Sequence, residues 1–271
     1  MATELVSGIE SVSSTRTVPP WPVVGTLCQR ELVRFFRQGN RVFGALGQPI
    51  IFWFLFGAGL SSSKLDYAYF FPGTLVMILL FTAIFATISI IEDRREGFLQ
   101  GVLVAPIPRW TMVLGKVLGG TAIAMLQGLI FLVLGWLTVK EVSPGFAGLI
   151  GAILLMFVVS VALTALGFVI AWRMDSTQGF HAIMSVLLFP MWLLSGAFFP
   201  LSVGGWLGWI IHINPLTYGV AGLRYYLQSA SSAAGNPLPM WICWAVSLFF
   251  AAVMLAACWW IAGKRTTRDM L

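Results

Sequence analysis

Charge is scarce in this sequence: Asp, Glu, Lys and Arg make up 10% of its 271 residues, whereas hydrophobic residues make up 59%. Soluble domains carry about 25% charged residues, so the composition excludes an ordinary soluble domain and predicts a polytopic membrane protein. Cysteine and histidine are also few. Cys28, Cys243 and Cys258, together with two histidines, follow no metal-ligand or disulfide spacing, so we expect no metal site.

Signatures of catalysis are missing as well. The sequence contains no His-Glu-x-x-His and no Gly-x-Ser-x-Gly motif. Gly115-Lys116 and Gly263-Lys264 are followed by Val and Arg, so neither completes the phosphate-binding pattern Gly-x-x-x-x-Gly-Lys-Ser/Thr. We therefore expect that the chain is not an enzyme and holds no cofactor. If ATP drives it, a separate subunit must bind ATP and Mg²⁺.

Long apolar runs fill most of the sequence. About 20 apolar residues span the hydrocarbon core of a bilayer, and six runs are long enough: 42–60, 69–91, 111–138, 145–172, 179–199 and 240–262. We predict an all-α membrane protein with six transmembrane helices in one domain, residues 22–271, after a disordered cytoplasmic tail at residues 1–21. Lys116, near the start of the third run, is expected to snorkel to the lipid headgroups.

Basic residues predict the orientation, because cytoplasmic loops are enriched in Lys and Arg. Placing both termini in the cytoplasm puts 13 of the 16 Lys and Arg inside and leaves only Lys64, Lys140 and Arg224 outside. We therefore predict a multi-pass protein of the plasma (inner) membrane with both termini cytoplasmic. The basic residues mostly flank apolar runs, which argues against nucleic acid as a partner despite a net charge of +6.

The segment before the first span has the pattern of an amphipathic helix. At 100° per residue, Arg30, Arg34, Arg37 and Arg41 form one stripe, and apolar residues gather on another face. This pattern predicts a helix lying in the inner membrane interface, in contact with lipid. A soluble helix packed on a partner is the alternative.

Two further patterns concern the membrane segments. Residues 203–213 are apolar but too few to cross the bilayer, which predicts an external re-entrant segment. Pairs of the form Gly-x-x-x-Gly, such as Gly115/Gly119, are about as frequent as 28 glycines give by chance, so we assign them no helix-packing role.

The loop between the second and third spans begins with the charged run Glu92-Asp93-Arg94-Arg95-Glu96 and continues with mostly apolar residues to Arg109. It is too long for a tight turn and too apolar for a solvated linker. We expect a partner outside the bilayer to dock there. A plain interfacial loop tethered by Phe98 and Leu99 is the alternative.

Residues 92–116 resemble the signature loop of the type-2 ATP-binding-cassette (ABC) exporter permeases. The resemblance is carried by Arg95-Glu96-Gly97, Leu103, Pro106, Arg109 and Gly115-Lys116. Residues 195–200, with Asn214-Pro215-Leu216-Thr217 and Arg224, are similar to the final external loop of that family. Within the family the chain is most similar to the drug-exporter and nodulation-factor-exporter branch, followed by the exporters of lipid-linked polysaccharide.

The resemblance implies a homodimer, or a pair with a similar permease, above two ABC nucleotide-binding subunits that meet a cytoplasmic coupling helix. Coupling is thereby assigned to Arg95, Glu96, Gly97, Phe98, Leu99, Val102, Leu103, Pro106 and Arg109. Arg95 and Glu96 would anchor the start of that helix, and Leu103 would fill a pocket on the ATPase.

The function expected from these features is that of a permease subunit of an ATP-driven exporter. An amphipathic or hydrophobic substrate is expected, because the spans offer aromatic and aliphatic walls with almost no fixed charge. Candidate residues of the substrate path are Phe52, Phe56, Met184, Leu188, Met191 and Trp192. A non-transporting scaffold or sensor subunit, or an ion channel, is the alternative class.

Overall fold

The computed structural model describes residues 19–39, 42–43, 47, 50–51, 54–55, 67–139, 142, 144–199, 201, 204–228 and 238–263, in which every element longer than an isolated bridge is helical. The helices are α1 (Pro20–Arg37), α2 (Tyr67–Ala86), α3 (Ile88–Arg95), α4 (Phe98–Val104), α5 (Arg109–Thr138), α6 (Phe146–Trp172), α7 (Thr177–Trp192), α8 (Gly205–Ile213), α9 (Pro215–Leu227) and α10 (Met240–Gly263). A π-helical turn, Leu193–Ala197, continues α7. The fold is all-α, as predicted.

Five segments among the described residues are long and apolar enough to cross a membrane: Tyr69–Arg95, Arg109–Thr138, Phe146–Trp172, Thr177–Ala197 and Met240–Gly263. They coincide, within a few residues at each end, with the last five of the six predicted spans, because hydropathy and length suffice to find such helices. The first predicted span, 42–60, falls largely outside the described residues, as do Arg41, Phe52, Phe56 and residues 1–18. α1 begins at Pro20, two residues before the predicted start of the domain.

The centre of the bundle is α2, whose apolar stretch is 83% buried, against 22% for α10. It packs against α5 and α6 along its length. Close approach depends on small residues, because a Cβ at Gly135 of α5 would lie 2.1 Å from the ring of Phe71. α10 packs mainly on α6 and leaves large apolar side chains such as Trp241 and Phe249 exposed, as a lipid-facing helix does.

The far end of the bundle holds α8 and α9, two short helices between α7 and α10. Asn214 separates them: its Oδ1 accepts a hydrogen bond from the Leu216 amide at 3.0 Å, and its Nδ2 donates to the Met191 carbonyl. This cap fixes the start of α9. Within the predicted segment 203–213, residues Gly205–Ile213 form α8, in which Trp206 and Trp209 are each 74% exposed.

Candidate functional site

The chain reverses direction between α3 and α5 through the short helix α4. Gly97 has a φ of 77°, in the left-handed region that favours glycine, and it forms the turn from α3 into α4. Ala105 is extended, and Pro108 directly precedes the first residue of α5. A seven-residue helix thus stands where the resemblance predicts a coupling helix.

Asp93 of α3 is the centre of a buried ion cluster. Its carboxylate is 0% exposed and accepts hydrogen bonds from Arg30 (2.7 and 3.0 Å), Arg34 and Lys116. Lys116 of α5 is 5% exposed and also donates to Glu31 Oε1 at 2.5 Å. Buried charges are tolerated only when they are paired and hydrogen-bonded, and here α1, α3 and α5 supply each other's partners.

The rim of this cluster is more open to solvent. Arg34 Nη2 lies 3.0 Å from Glu92 Oε2 and 3.0 Å from Glu96 Oε1, and the Glu96 side chain is 59% exposed. Exposed pairs of this kind contribute about 0–1 kcal/mol. Glu96, expected to anchor the start of the coupling helix, thus contacts α1 through this exposed pair with Arg34.

One expectation about these charges is wrong. Lys116 does not snorkel to headgroups, because its ammonium group is buried between Glu31 and Asp93. Arg30 and Arg34 of the predicted basic stripe pair with carboxylates of α3, and the interfacial position of α1 stays a prediction. Arg37 is exposed. Isolated charges beside or within apolar spans are costly, and that cost is the signal in the sequence by which pairing could have been predicted.

Two glycines of α5 make room for α1. A Cβ at Gly115 would lie 2.6 Å from Leu27 Cβ, and a Cβ at Gly119 would lie 2.7 Å from Glu31 Cβ. Carbon atoms do not approach this closely, so glycine at both positions lets the helices touch and brings Glu31 to Lys116. We assigned the Gly115/Gly119 pair no packing role, and this was wrong, because α1 packs directly on these two glycines.

The packing of α1 against α3 and α5 shifts the pKa values of Arg30 and Cys28. The hydrogen bond from Arg30 to Asp93 is the main cause that raises the pKa of Arg30, so this side chain stays charged. Cys28 lies beside the same interface, with its Cα 3.5 Å from the Cβ position of Gly119. Burial raises the pKa of the Cys28 thiol, and the negative charge of Glu31 adds to the rise.

Three arginines fasten the loop to other helices. Arg94 donates to the carbonyls of Trp172 (2.6 Å) and Met174 (3.1 Å), and Arg95 donates to the carbonyl of Asp175 (2.8 and 3.1 Å). Arg109 donates to the carbonyl of Ala262 at 2.7 Å. Trp172 and Ala262 lie at the C-terminal ends of α6 and α10, whose last carbonyls lack helical partners and favour a cation.

The apolar side chains of α4 are not equivalent. Leu99 is 3% exposed and packs inside the chain, and Phe98, Val102 and Leu103 are half-buried against the same core. Val104, which the sequence did not single out, is 84% exposed. Leu99 therefore has almost no exposed surface in this conformation. The coupling roles of all the assigned residues, Leu99, Pro106 and Gly97 among them, stay predictions.

A groove of about 450 Å³ runs between α1 and α4. Its walls are apolar and include Val23 and Leu27 from one side, Val102 from the other, and Ile107 from the segment before α5. The groove and Val104 together give this end of the molecule an apolar surface beside the charged cluster.

The predicted path residues of α7 face the interior of the chain. Met184, Leu188 and Trp192 are at most 2% exposed and follow a helical spacing of four, while Met191 is half-buried. Trp192 Nε1 donates to the Gly73 carbonyl of α2 at 2.8 Å. The exposed face of α7 carries Val186, which is 78% exposed, so a path along α7 in this conformation would meet that face.

Arg224 of α9 is 6% exposed at the far end of the bundle. Its Nη2 donates to the carbonyls of Gly196 (3.1 Å) and Tyr69 (3.3 Å), and its guanidinium lies 4.0 Å from the centre of the Tyr69 ring. No carboxylate among the described residues pairs with it, and Nε has no hydrogen-bond partner there. Arg224 thus joins α9 to the π-helical turn and to the start of α2.

The sequence of this chain is similar to those of several transport permeases. The chain is 25% identical over 215 residues to "Putative transport permease ycf38" of Cyanophora paradoxa (76% of this chain, 74% of the relative). It is 26% identical over 188 residues to "Daunorubicin resistance ABC transporter permease protein DrrB1" of Streptomyces coeruleorubidus (67% and 65%). It is 23% identical over 257 residues to "Inner membrane transport permease YadH" of Escherichia coli K12 (88% and 94%). The family described as ABC-2 type transporter matches residues 22–227, and the chain therefore belongs to the ABC-2 type transporter family.

Proposed function

We propose that this chain is the membrane subunit of an ATP-driven exporter and that a separate ABC nucleotide-binding subunit hydrolyses ATP with Mg²⁺. The observation that carries the proposal is the loop around α4. It exposes an apolar surface, yet ion pairs and hydrogen bonds fasten it to α1, α6 and α10. A force applied to this loop would therefore be transmitted to the spans.

The sequence supports the proposal that transport and ATP hydrolysis belong to two different chains. Neither Gly-Lys pair completes a phosphate-binding motif, so nucleotide must bind elsewhere. The partner would meet Val104 and the groove between α1 and α4, where an apolar knob and groove offer buried area and the exposed charges of Arg95 and Glu96 set the orientation.

We propose an amphipathic or hydrophobic substrate because the surfaces that could line its path are apolar. The exposed face of α7 is apolar, with Val186 and Phe189 exposed, and the relative DrrB1 carries a name that refers to daunorubicin resistance. A second copy of this chain facing α7 would enclose such a surface and make a path between two permeases. We propose that both termini and α4 lie in the cytoplasm, in the plasma (inner) membrane.

Crosslinking tests the subunit arrangement. A photoreactive maleimide on Val104→Cys should crosslink to an ATP-binding polypeptide in membranes that contain the complete complex. The matched control is Phe146→Cys, which is 82% exposed at the opposite end of the bundle and should give no such product. The purified chain alone should hydrolyse no ATP. Steady ATP hydrolysis by the pure chain, or an ATP-binding product from both positions, would overturn the proposal.

A further inference from the structure

Contacts between side chains lead from α4 to α5 through two other helices. The ring of Phe98 in α4 lies beneath the guanidinium of Arg30 in α1, 3.7 Å from the ring centre. Arg30 donates two hydrogen bonds to Asp93 in α3, at 2.7 and 3.0 Å. Asp93 accepts a hydrogen bond from Lys116 in α5. Each step joins two different helices, and α5 is one of the candidate spans.

Stability alone does not account for this arrangement. Buried ion pairs gain little over apolar side chains of the same size, because removing the charges from water costs as much as the pairing returns. What such a cluster supplies is a fixed geometry. Asp93 pairs with three cations at once, and the Lys116 ammonium group pairs with two carboxylates, so a shift of one helix alone would break several of these pairs.

We propose that Lys116 is a positioning residue, which carries a displacement of α4 into α5 and makes α1, α3 and α5 move as one body. This inference rests on the proposed function, since the ATP-binding subunit would displace α4. The competing explanation is that the covalent loop of residues 96–108 transmits the motion unaided and the cluster only satisfies buried charges.

Two variants separate these explanations. Glu31→Gln keeps the Lys116–Asp93 bond. Glu31→Gln combined with Lys116→Met removes that bond but leaves no unpaired charge, because Asp93 keeps Arg30 and Arg34. Arg173→Met is the matched control, since it removes one cation from an exposed site near the same end of the bundle. All three variants should purify with the ATP-binding subunit and hydrolyse ATP at a rate within about twofold of wild type.

The readout lies at the other end of the molecule. Trp209→Cys, 74% exposed on α8, serves as the reporter in a chain whose native cysteines are replaced by alanine. Its reaction rate with N-ethylmaleimide is compared between the nucleotide-free complex and the complex trapped with ATP and vanadate. We expect trapping to change the rate by about fivefold or more in wild type, Glu31→Gln and Arg173→Met, and by less than about twofold in the double variant.

The outcomes are distinct. A double variant that responds as wild type does would overturn the inference, because the Lys116–Asp93 bond would then be dispensable for transmission. Loss of the response in Glu31→Gln as well would also overturn it, since that variant keeps the bond. Failure of the proposed function shows itself earlier, as the absence of any ATP-binding subunit from the purified wild-type complex.

Discussion

Leu99 and Val104 lie five residues apart on α4, one buried and the other exposed, and should respond oppositely to truncation. Leu99 is 3% exposed, so Leu99→Ala opens a cavity in the packed core beneath the loop and should cost about 2–5 kcal/mol of folding stability. Val104 is 84% exposed, so Val104→Ser should change stability by no more than about 0.5 kcal/mol.

The affinity for the proposed ATP-binding subunit should respond the other way, falling in Val104→Ser and not in Leu99→Ala. Burying a valine side chain contributes about 1.5 kcal/mol or more, so Val104→Ser should weaken the complex by about tenfold or more. The folded fraction of Leu99→Ala should bind as wild type does. Thermal unfolding of the detergent-solubilised chain measures the first quantity, and titration with the ATP-binding subunit measures the second.

Phe146→Ser is the control for both assays, because Phe146 is 82% exposed at the opposite end of the bundle and should change neither quantity. If Val104→Ser binds with wild-type affinity, or destabilises the chain as much as Leu99→Ala, the assignment of the docking surface to this side of α4 is refuted.

Three further measurements concern the helix packing and the orientation. A side chain at Gly119 would overlap α1, so Gly119→Val should displace that helix and speed alkylation of Cys28 about tenfold. The control Gly25→Val, whose added side chain meets nothing within 4 Å, should leave the alkylation rate unchanged. Equal rates in the two variants would contradict the packing of α1 on α5. Burial and the neighbouring carboxylate of Glu31 raise the pKa of Cys28, and only the thiolate reacts. The labelling rate of Cys28 should therefore still increase with pH beyond about 8.5, the ordinary thiol pKa. A rate that reaches its plateau near pH 8.5 would refute the shift. In intact cells an impermeant maleimide should label Trp209→Cys and not Val104→Cys, and external labelling of the latter would reverse the orientation.

The spans could be predicted from the sequence because their signal is local. A run such as 240–262 contains its own evidence of length and apolarity, and the structure has a helix at Met240–Gly263. The short helix α4 could be expected from the resemblance of residues 92–116 to a known loop. Both inferences use only residues that are close together in the sequence.

The ion cluster could not be predicted in the same way. Lys116 finds Glu31 at a distance of 85 residues along the chain, and no periodicity within α5 identifies that partner. The Gly115/Gly119 pair was discounted because a count over the whole chain cannot tell a glycine under a helix from one facing lipid. Its neighbour Lys116, an ionisable group that needed a buried partner, was the stronger indication.

Arg224 is buried with no carboxylate beside it in the part of the chain that the structure describes, and this has an electrical consequence. A membrane potential acts on a net charge, and moving one elementary charge across the full potential changes its energy by about 2.3 kcal/mol per 100 mV. An arginine paired with a carboxylate would carry no net charge through the field, whereas no carboxylate among the described residues pairs with Arg224. Any rearrangement that moves α9 along the membrane normal would therefore depend on voltage, and a cell that lost its membrane potential would shift the balance between the conformations of this permease.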